Sequence, residues 1–218
     1  MNKLFLSIIS ILVFSNAQSK WTVLSSVATG INSISVVSPS VIWLACKAGN
    51  VFRSTDGGST FIIKNSGLPA GDIYGISALD TLNCWVGTDA GSIYRTSNGG
   101  LNWVLQFSLA GSFSNGIKMF SLNYGVYSGD PTGNGQPFQF RYTTNGGTNW
   151  ILSPEAPIAM NEFGVINAWD WTDTSHFWIG SANVIPNATT AKIFKTVNGF
   201  GGGGWTSATV SGVGGNSG

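Results

Sequence analysis

Three features of the sequence predict an all-β β-propeller made of four-stranded antiparallel sheets, or blades. One turn pattern recurs four times, with its Asp or Asn at positions 56, 98, 145 and 198, which gives spacings of 42, 47 and 53 residues. Glycine is abundant (30 of 218 residues), and 12% of residues are aromatic. Charged residues are only 9% of the chain, against about 25% in ordinary soluble domains. Short strands with tight turns, repeating roughly every 40–50 residues, are typical of propeller blades.

The first residues predict a secretory signal peptide over residues 1–17. Lys3 gives a positive start, an apolar run covers residues 4–14, and small residues at 15 and 17 favour cleavage after Ala17. The apolar run is too short to span about 30 Å of hydrocarbon, which makes a membrane anchor the weaker alternative. The mature chain is expected to be exported, whether periplasmic, cell-surface or extracellular.

Composition excludes several function classes. Removal of Lys3 from ten basic residues leaves nine, against nine acidic residues. A formally neutral chain lacks the basic excess that a phosphate backbone attracts, so no nucleic-acid partner is expected. No stretch after the signal peptide predicts a transmembrane segment.

The cysteine and histidine content predicts no metal site and no cofactor. The sequence has one histidine and no Cys-x-x-Cys pair, which argues against zinc. Cys46 and Cys84 lie in apolar, strand-like stretches, and we interpret them as buried thiols. A disulfide stays open as the alternative, because exported proteins allow one.

Each repeat is predicted to contain strands A, B and C, then a turn, then strand D. Strand A is predicted at 31–36, 73–78, 116–120 and 164–169, and strand B at 42–44, 84–86, 124–127 and 177–179. Asp-Gly or Asn-Gly between two β-rich runs is a strong hairpin signal, because both residues tolerate positive φ. These blades fill residues 18–210, together with an N-terminal strand at 21–24 that would complete another blade.

The turn between strands C and D has four landmarks: a hydroxyl residue, an Asp or Asn, a Gly and an aromatic residue. The complete copies are Ser54, Asp56, Gly58 and Phe61; Thr96, Asn98, Gly100 and Trp103; and Thr143, Asn145, Gly147 and Trp150. The fourth copy has Thr196, Asn198 and Trp205, with two extra residues in a glycine run. Because an Asp or Asn side chain can bond the backbone of its own turn, we predict structural roles for these residues.

This turn pattern resembles the Asp-box, also called the bacterial neuraminidase repeat. The wider blade at 79–103 is similar to the propellers of the photosystem II assembly and stability factor and its exported bacterial relatives. The resemblance covers about residues 21–210 and implies roughly six to eight blades. It also implies that the Asp-box turns lie away from the ligand-binding face.

The four visible blades predict a partial propeller whose ring is incomplete. Residues 211–218 are rich in Gly and Ser and too few for the missing strands, so we expect a C-terminally truncated fragment of a longer protein. The alternative is an open arc of four or five blades, which would expose strand edges.

The loops before strand A and after strand B form the upper face, where a propeller is expected to bind. Two of these loops, 129–137 and 183–191, are longer than their counterparts. The candidate binding-face residues are Asp130, Phe138, Glu155 and Glu162, with Phe113 and Phe163 as further aromatic candidates for exposure. A glycosidase needs two carboxyl groups across a sugar, and the sequence does not define such a pair.

Arginine placement argues against a sialidase, which needs a cluster of arginines to bind a carboxylate. Arg53 and Arg95 occupy the same strand-C position, so we expect them to lie over the outer blade surface. No catalytic residue is predicted. The function favoured is an exported, non-enzymatic binding, scaffold or cell-surface module with a protein or polysaccharide partner at the upper face. The alternatives are a xyloglucanase- or sialidase-like glycoside hydrolase and an assembly factor for a membrane complex.

Overall fold

The computed structural model describes residues 23–185, 188 and 190–211. This part of the chain folds into four antiparallel sheets of four strands each, with one helix of four residues. The predicted all-β class and the four blades are confirmed. The signal peptide at 1–17, the start of the N-terminal strand at 21–22 and most of the Gly/Ser-rich end fall outside the described residues.

In each sheet the strands are hydrogen-bonded in sequence order. The first two sheets contain β1 (Ile31–Val36), β2 (Ile42–Cys46), β3 (Val51–Ser54), β4 (Ile62–Ile63), β5 (Ile73–Ala78), β6 (Cys84–Thr88), β7 (Ser92–Thr96) and β8 (Val104–Ser108). The third contains β9 (Ser114–Met119), β10 (Gly125–Gly129), β11 (Arg141–Thr143) and β12 (Ile151–Leu152). The fourth contains β13 (Glu162–Trp171), β14 (Phe177–Asn183), β15 (Thr190–Thr196) and β16 (Thr206–Ser211), with helix α1 (Gly199–Gly202) between the last two strands.

The first strands of neighbouring sheets lie beside one another, so β1, β5, β9 and β13 are the inner strands. Alternating strand direction then gives the molecule two faces. The turns between first and second strands and between third and fourth strands lie on one face, which we call the lower face. The inner strands begin on the opposite, upper face, where the second strands end.

The hydrophobic core lies between adjacent sheets. Trp43 of the first sheet meets Trp103 of the second edge to face, with ring centroids 6.3 Å apart. Trp85 of the second sheet packs with Tyr127 of the third. Phe177 of the fourth sheet joins a cluster with residues of the third. Each sheet therefore depends on its neighbour to cover its apolar side chains.

Both cysteines are buried and unbonded, as the interpretation of buried thiols predicts. Cys46 lies in the core of the first sheet and Cys84 between the first two sheets. Burial raises the pKa of Cys46 to about 11 and also raises the pKa of Cys84. Neither thiol is therefore poised for thiolate chemistry at neutral pH.

Strand β13 differs from the simple strand A that the sequence predicts. Gly164 pairs with Ser181, and Trp169 pairs with Ile179, so residues 165–168 oppose only Gly180. This long bulge contains Asn167 at a φ of 59°, in the left-handed region that Asn tolerates better than most residues. Bulges of this kind redirect side chains and are common beside functional sites.

Replacing Trp103 by Ala tests the packing between sheets. The side chain is 5% exposed, and its indole Nε1 donates to the Lys64 carbonyl oxygen at 2.7 Å. We expect the free energy of unfolding to fall by about 3–5 kcal/mol, as for other buried large aromatics, when measured by urea denaturation. The control is Leu101→Ala, whose side chain is 67% exposed in the same turn. Equal stability of the two variants would show that Trp103 contributes nothing to the core.

Candidate functional site

The first three predicted turns lie on the lower face and share one set of hydrogen bonds. The hydroxyl oxygen accepts from the second glycine's N–H at 2.8–2.9 Å, in the pairs Ser54–Gly58, Thr96–Gly100 and Thr143–Gly147. The Asp or Asn Oδ1 accepts from the N–H four residues later at 2.9–3.2 Å, in the pairs Asp56–Thr60, Asn98–Asn102 and Asn145–Asn149. These side chains are thus occupied within their own turns.

The glycine pairs explain why these turns need their sequence. In all three turns both glycines have positive φ, for example 72° at Gly57 and 90° at Gly58. A Cβ is strained in this region, whereas glycine adopts it freely. Hydrogen bonds from Thr60, and from the Ser54 hydroxyl, lower the pKa of Asp56 to about 2. Its carboxylate therefore stays ionised and bonded to the turn at neutral pH.

The fourth turn is built differently because of its extra residues. Helix α1 replaces the tight turn, and the Thr196 hydroxyl donates to the Gly203 carbonyl oxygen at 2.7 Å. The Asn198 side chain makes no cap hydrogen bond to this helix. Trp205 still packs against the third sheet, where its Nε1 donates to the Ser153 hydroxyl at 2.8 Å.

Arg53 and Arg95 connect neighbouring sheets, so their expected position on the outer surface is wrong. Arg53 Nη1 donates to the carbonyl oxygens of Thr81 (2.5 Å) and Gly99 (3.2 Å) in the second sheet's lower turns. Arg95 Nη1 donates to the Gly146 carbonyl oxygen of the third sheet at 3.1 Å. The sequence shows that the position repeats, but not that its side chain crosses to the next sheet.

Each of these guanidinium groups also lies over a tryptophan ring of its own sheet. The distance from Cζ to the ring centroid is 5.3 Å for Arg53 over Trp43 and 4.7 Å for Arg95 over Trp85. Cation–π contact and hydrogen bonding thus fix both side chains between sheets. Neither arginine is free to bind the carboxylate of a sialoside.

A groove of about 330 Å³ opens on the upper face between the third and fourth sheets. We call it the upper groove, and its lining residues are Phe113, Asn115, Asp130, Phe163, Gly164, Val165 and Ile166. They come from the start of β9, the residue after β10, and the start of β13 with its bulge. The bulge supplies one apolar wall, since Val165 and Ile166 are 38% and 37% exposed.

Asp130 forms the polar end of the upper groove. Its Oδ1 accepts from Asn115 Nδ2 and from the Gly164 backbone N–H, both at 2.7 Å. No described residue donates a hydrogen bond to its Oδ2. Burial raises the pKa of Asp130 against the effect of these two hydrogen bonds. A Cβ at position 164 would overlap Asn115 Nδ2, so glycine is required for this contact.

Asn115 adds a second acceptor that lacks a donor. The residue is 3% exposed, and its Oδ1 has no hydrogen-bond partner in the described part of the chain. Sequence reasoning selected Asp130 but missed Asn115, Gly164 and the bulge. The available signal was the longest repeat spacing, 53 residues, because residues added to the last repeat include the bulge.

The other candidate residues lie elsewhere. Phe138, expected to be exposed, is 1% exposed and stacks on Phe140 at 5.3 Å, because the loop after β10 turns back into the core. Glu162 is buried in an ion pair with Lys192 Nζ at 2.6 Å. Glu155 is exposed and accepts from the Gly204 N–H at 3.1 Å, near the fourth turn. Neither glutamate lines the upper groove.

Residues 23–185, 188 and 190–211 contain neither a metal-ligating cluster nor a membrane-spanning helix. Within these ranges no three His, Cys, Asp or Glu side chains are grouped so that they could hold a metal ion. Nor does any helix there have the length and apolarity to cross a membrane.

Comparisons with known proteins indicate the family. The family model described as photosynthesis system II assembly factor YCF48 matches residues 20–128, which are 109 of the 218 residues. No curated protein matches the chain.

Several solved propellers share the fold. A structure described as YCF48 bound to D1 peptide is 16% identical, with a TM-score of 0.60, and the match covers 84% of this chain and 54% of that one. YCF48 from Cyanidioschyzon merolae is 19% identical, with a TM-score of 0.60, and the match covers 85% of this chain and 58% of that one. A GH74 enzyme from Niastella koreensis is 17% identical, with a TM-score of 0.58, and the match covers 82% of this chain and 30% of the enzyme. The chain thus spans about half the length of the YCF48 structures and less than a third of that enzyme.

Replacing Asn98 by Ala tests the turn hydrogen bonds. The substitution removes the acceptor for the Asn102 N–H, so we expect the free energy of unfolding to fall by about 1 kcal/mol. The matched control is Asn198→Ala, because the Asn198 side chain caps nothing in the fourth turn. Stability is measured as the urea midpoint. An equal fall in midpoint for both variants would contradict a stabilising role for the Asn98 hydrogen bond.

Replacing Asp130 by Asn tests the desolvation of the groove carboxylate. Because the pKa of Asp130 is raised in the folded state, ionisation of this group opposes folding. The protonated Asp130 side chain therefore stabilises the fold. This stabilisation is fully present below the pKa of Asp130 in the unfolded chain and is lost as pH rises through its pKa in the folded protein. We expect the parent protein to become more stable relative to Asp130→Asn as pH falls from about 7 to about 3, the range around carboxyl pKa values.

The control for the pH series is Asp173→Asn, which should show the opposite trend. Hydrogen bonds from His176, and from the Ser175 N–H, lower the pKa of Asp173. The ionised Asp173 side chain therefore stabilises the fold, and this stabilisation is lost as pH falls through its folded pKa. Urea denaturation of the three proteins across the pH range measures both trends, and parallel trends for both variants would contradict the burial of Asp130.

Proposed function

Because the chain belongs to the family of the photosynthesis system II assembly factor YCF48, we propose that it is an exported, non-enzymatic propeller that binds a protein partner. In this role it acts as a scaffold or assembly factor. The upper groove is the proposed contact site. The solved YCF48 described as bound to D1 peptide supports protein binding by a propeller of this family.

The observation that best supports this function is the composition of the upper groove. Apolar walls from Phe113, Phe163 and the β13 bulge surround a few polar acceptors, the usual make-up of a recognition pocket. The lower face is occupied differently, since its turns and arginines are bonded to the protein itself. Loops on a rigid scaffold are where binding residues concentrate, which favours the upper face.

A glycoside hydrolase is the second candidate, and its support is the fold shared with GH74 enzymes. Hydrolysis needs two carboxyl groups flanking the scissile bond. Asp130 is the acidic residue that lines the upper groove. Glu162 is paired with Lys192, and Glu155 bonds the fourth turn. The proposed function therefore assigns no hydrolytic role to these three residues.

Photo-crosslinking in the native host tests the proposal. A benzoylphenylalanine at position 166 should capture a protein, because Ile166 lines the upper groove. The same group at position 62, on exposed strand β4, should not capture that protein. Mass spectrometry identifies the adduct.

Binding of the captured protein is then measured with purified components. The double variant Val165→Asp/Ile166→Asp should weaken affinity at least about tenfold, near 1.4 kcal/mol, because carboxylates would replace an apolar wall. The matched control is Ile62→Asp/Ile63→Asp, two exposed apolar residues of the first sheet. Equal loss in both variants would contradict a role for the groove.

Activity assays test the hydrolase alternative on the same protein. Xyloglucan and sialosides are incubated with the parent and with Asp130→Asn, and the released sugar is measured. Turnover that depends on Asp130 would replace the binding function with a glycosidase. Protein binding without sugar release is the expected outcome.

A further inference from the structure

We propose that the upper groove binds a basic side chain, a lysine or an arginine, presented by the partner polypeptide. This inference rests on the proposed function, because it assumes that the partner is a protein. It names the chemical group that the groove selects.

The Asp130 carboxylate gives the groove an acceptor that lacks a donor. Asp130 Oδ2 receives no hydrogen bond from a described residue, because the two donors nearby bond Oδ1. The Gly164 N–H and one N–H of Asn115 Nδ2 are directed to Asp130 Oδ1 and not to Oδ2. Asn115 Oδ1 also has no partner in the described part of the chain, but it has almost no exposed surface. A ligand group that only donates fits this arrangement, and lysine and arginine side chains are donors without acceptors.

Charge favours the same group. Asp130 is partly removed from water, so its ionised form gains from a cation that replaces the lost hydration. The nearby Lys192 is paired with Glu162 at 2.6 Å. Within the described residues, no ion pair involves Asp130.

The walls fit the stem of a basic side chain. Phe113, Phe163, Val165 and Ile166 surround the carboxylate with apolar surface. Lysine and arginine bury their aliphatic stems on such surfaces, and their charged ends favour aromatic faces. Elsewhere this chain makes that contact within its own fold, at Arg53 over Trp43.

The size of the groove favours a single side chain over a polysaccharide. Its volume of about 330 Å³ lies at the lower end of the roughly 300–1,000 Å³ found for ligand pockets. A sugar chain would also present hydroxyl groups that need donors as well as acceptors.

The test compares two small probes that differ in charge. The probes are Nα-acetyl-arginine methylamide and its neutral isostere, Nα-acetyl-citrulline methylamide. Binding to the full chain is followed by NMR shifts of the Gly164 N–H and the Asn115 side-chain amide. We expect the arginine derivative to bind at least tenfold more tightly. Equal binding of the two probes would overturn the inference.

Asp130→Asn should remove the preference for the charged probe. The matched control is Asp170→Asn, which removes the same charge from an exposed residue of β13 and should keep the preference. Loss of the preference in both variants would indicate general electrostatic attraction and would overturn the proposed site. A preference for the charged probe that persists in Asp130→Asn would also overturn the proposed site.

A second variant covers the case in which Asp130→Asn perturbs folding. Ile166→Lys places an ammonium within the groove, on the bulge, where the native side chain is already 37% exposed. This tethered cation should compete with the arginine derivative and weaken its binding at least tenfold. Unchanged binding would contradict the inference.

The two proposals fail in different ways. If the crosslinked protein binds Asp130→Asn as tightly as the parent, protein binding stands and the basic-side-chain inference falls. If position 166 captures no protein, the proposed function falls, and the probe comparison still measures the chemistry of the groove.

Discussion

Packing between neighbouring sheets is the constraint on which this structure depends. A two-residue outer strand such as β4 or β12 contributes little by itself. Stability comes from large aromatics enclosed between sheets, as Trp43 and Trp85 are, both without exposed surface. The indole Nε1 of each also donates to a carbonyl oxygen of the next sheet, that of Asp80 or Gly146. Apolar burial and hydrogen bonding therefore act at the same boundary.

This constraint separates the two faces. On the lower face, Arg53 and Arg95 bond the turns of the following sheet, so the turn sequence is tied to the spacing between sheets. A substitution there affects both a turn and a boundary. On the upper face, the β13 bulge inserts residues 165–168, while Trp169, Trp171 and Phe177 still pack in the core between the third and fourth sheets. Variation in the upper-face residues is thus compatible with a fixed core.

The fold was predictable because its signals are local and repeated. Ser54, Asp56 and Gly58 are within five residues of one another, and each of the three complete copies of the pattern forms the same turn from the same hydrogen bonds. The direction of Arg53 was not predictable, because the carbonyl oxygens that bind it lie 28 and 46 residues away. The expected exposure of Phe138 was wrong for a related reason, because the burial of its side chain depends on residues of another sheet.

The upper groove shows why only part of a candidate site is visible in a sequence. Asp130 is conspicuous in a chain with few charged residues, but its environment is set by two residues of other strands. Asn115 and Gly164 are 15 and 34 positions away, and both must approach before the carboxylate is held and partly desolvated. The glycine is required by space, since a side chain at 164 would displace Asn115. A carboxylate held in this way keeps one oxygen without a donor from the described residues, and this distinguishes it chemically from the turn carboxylate of Asp56, whose two oxygens are both bonded to Thr60.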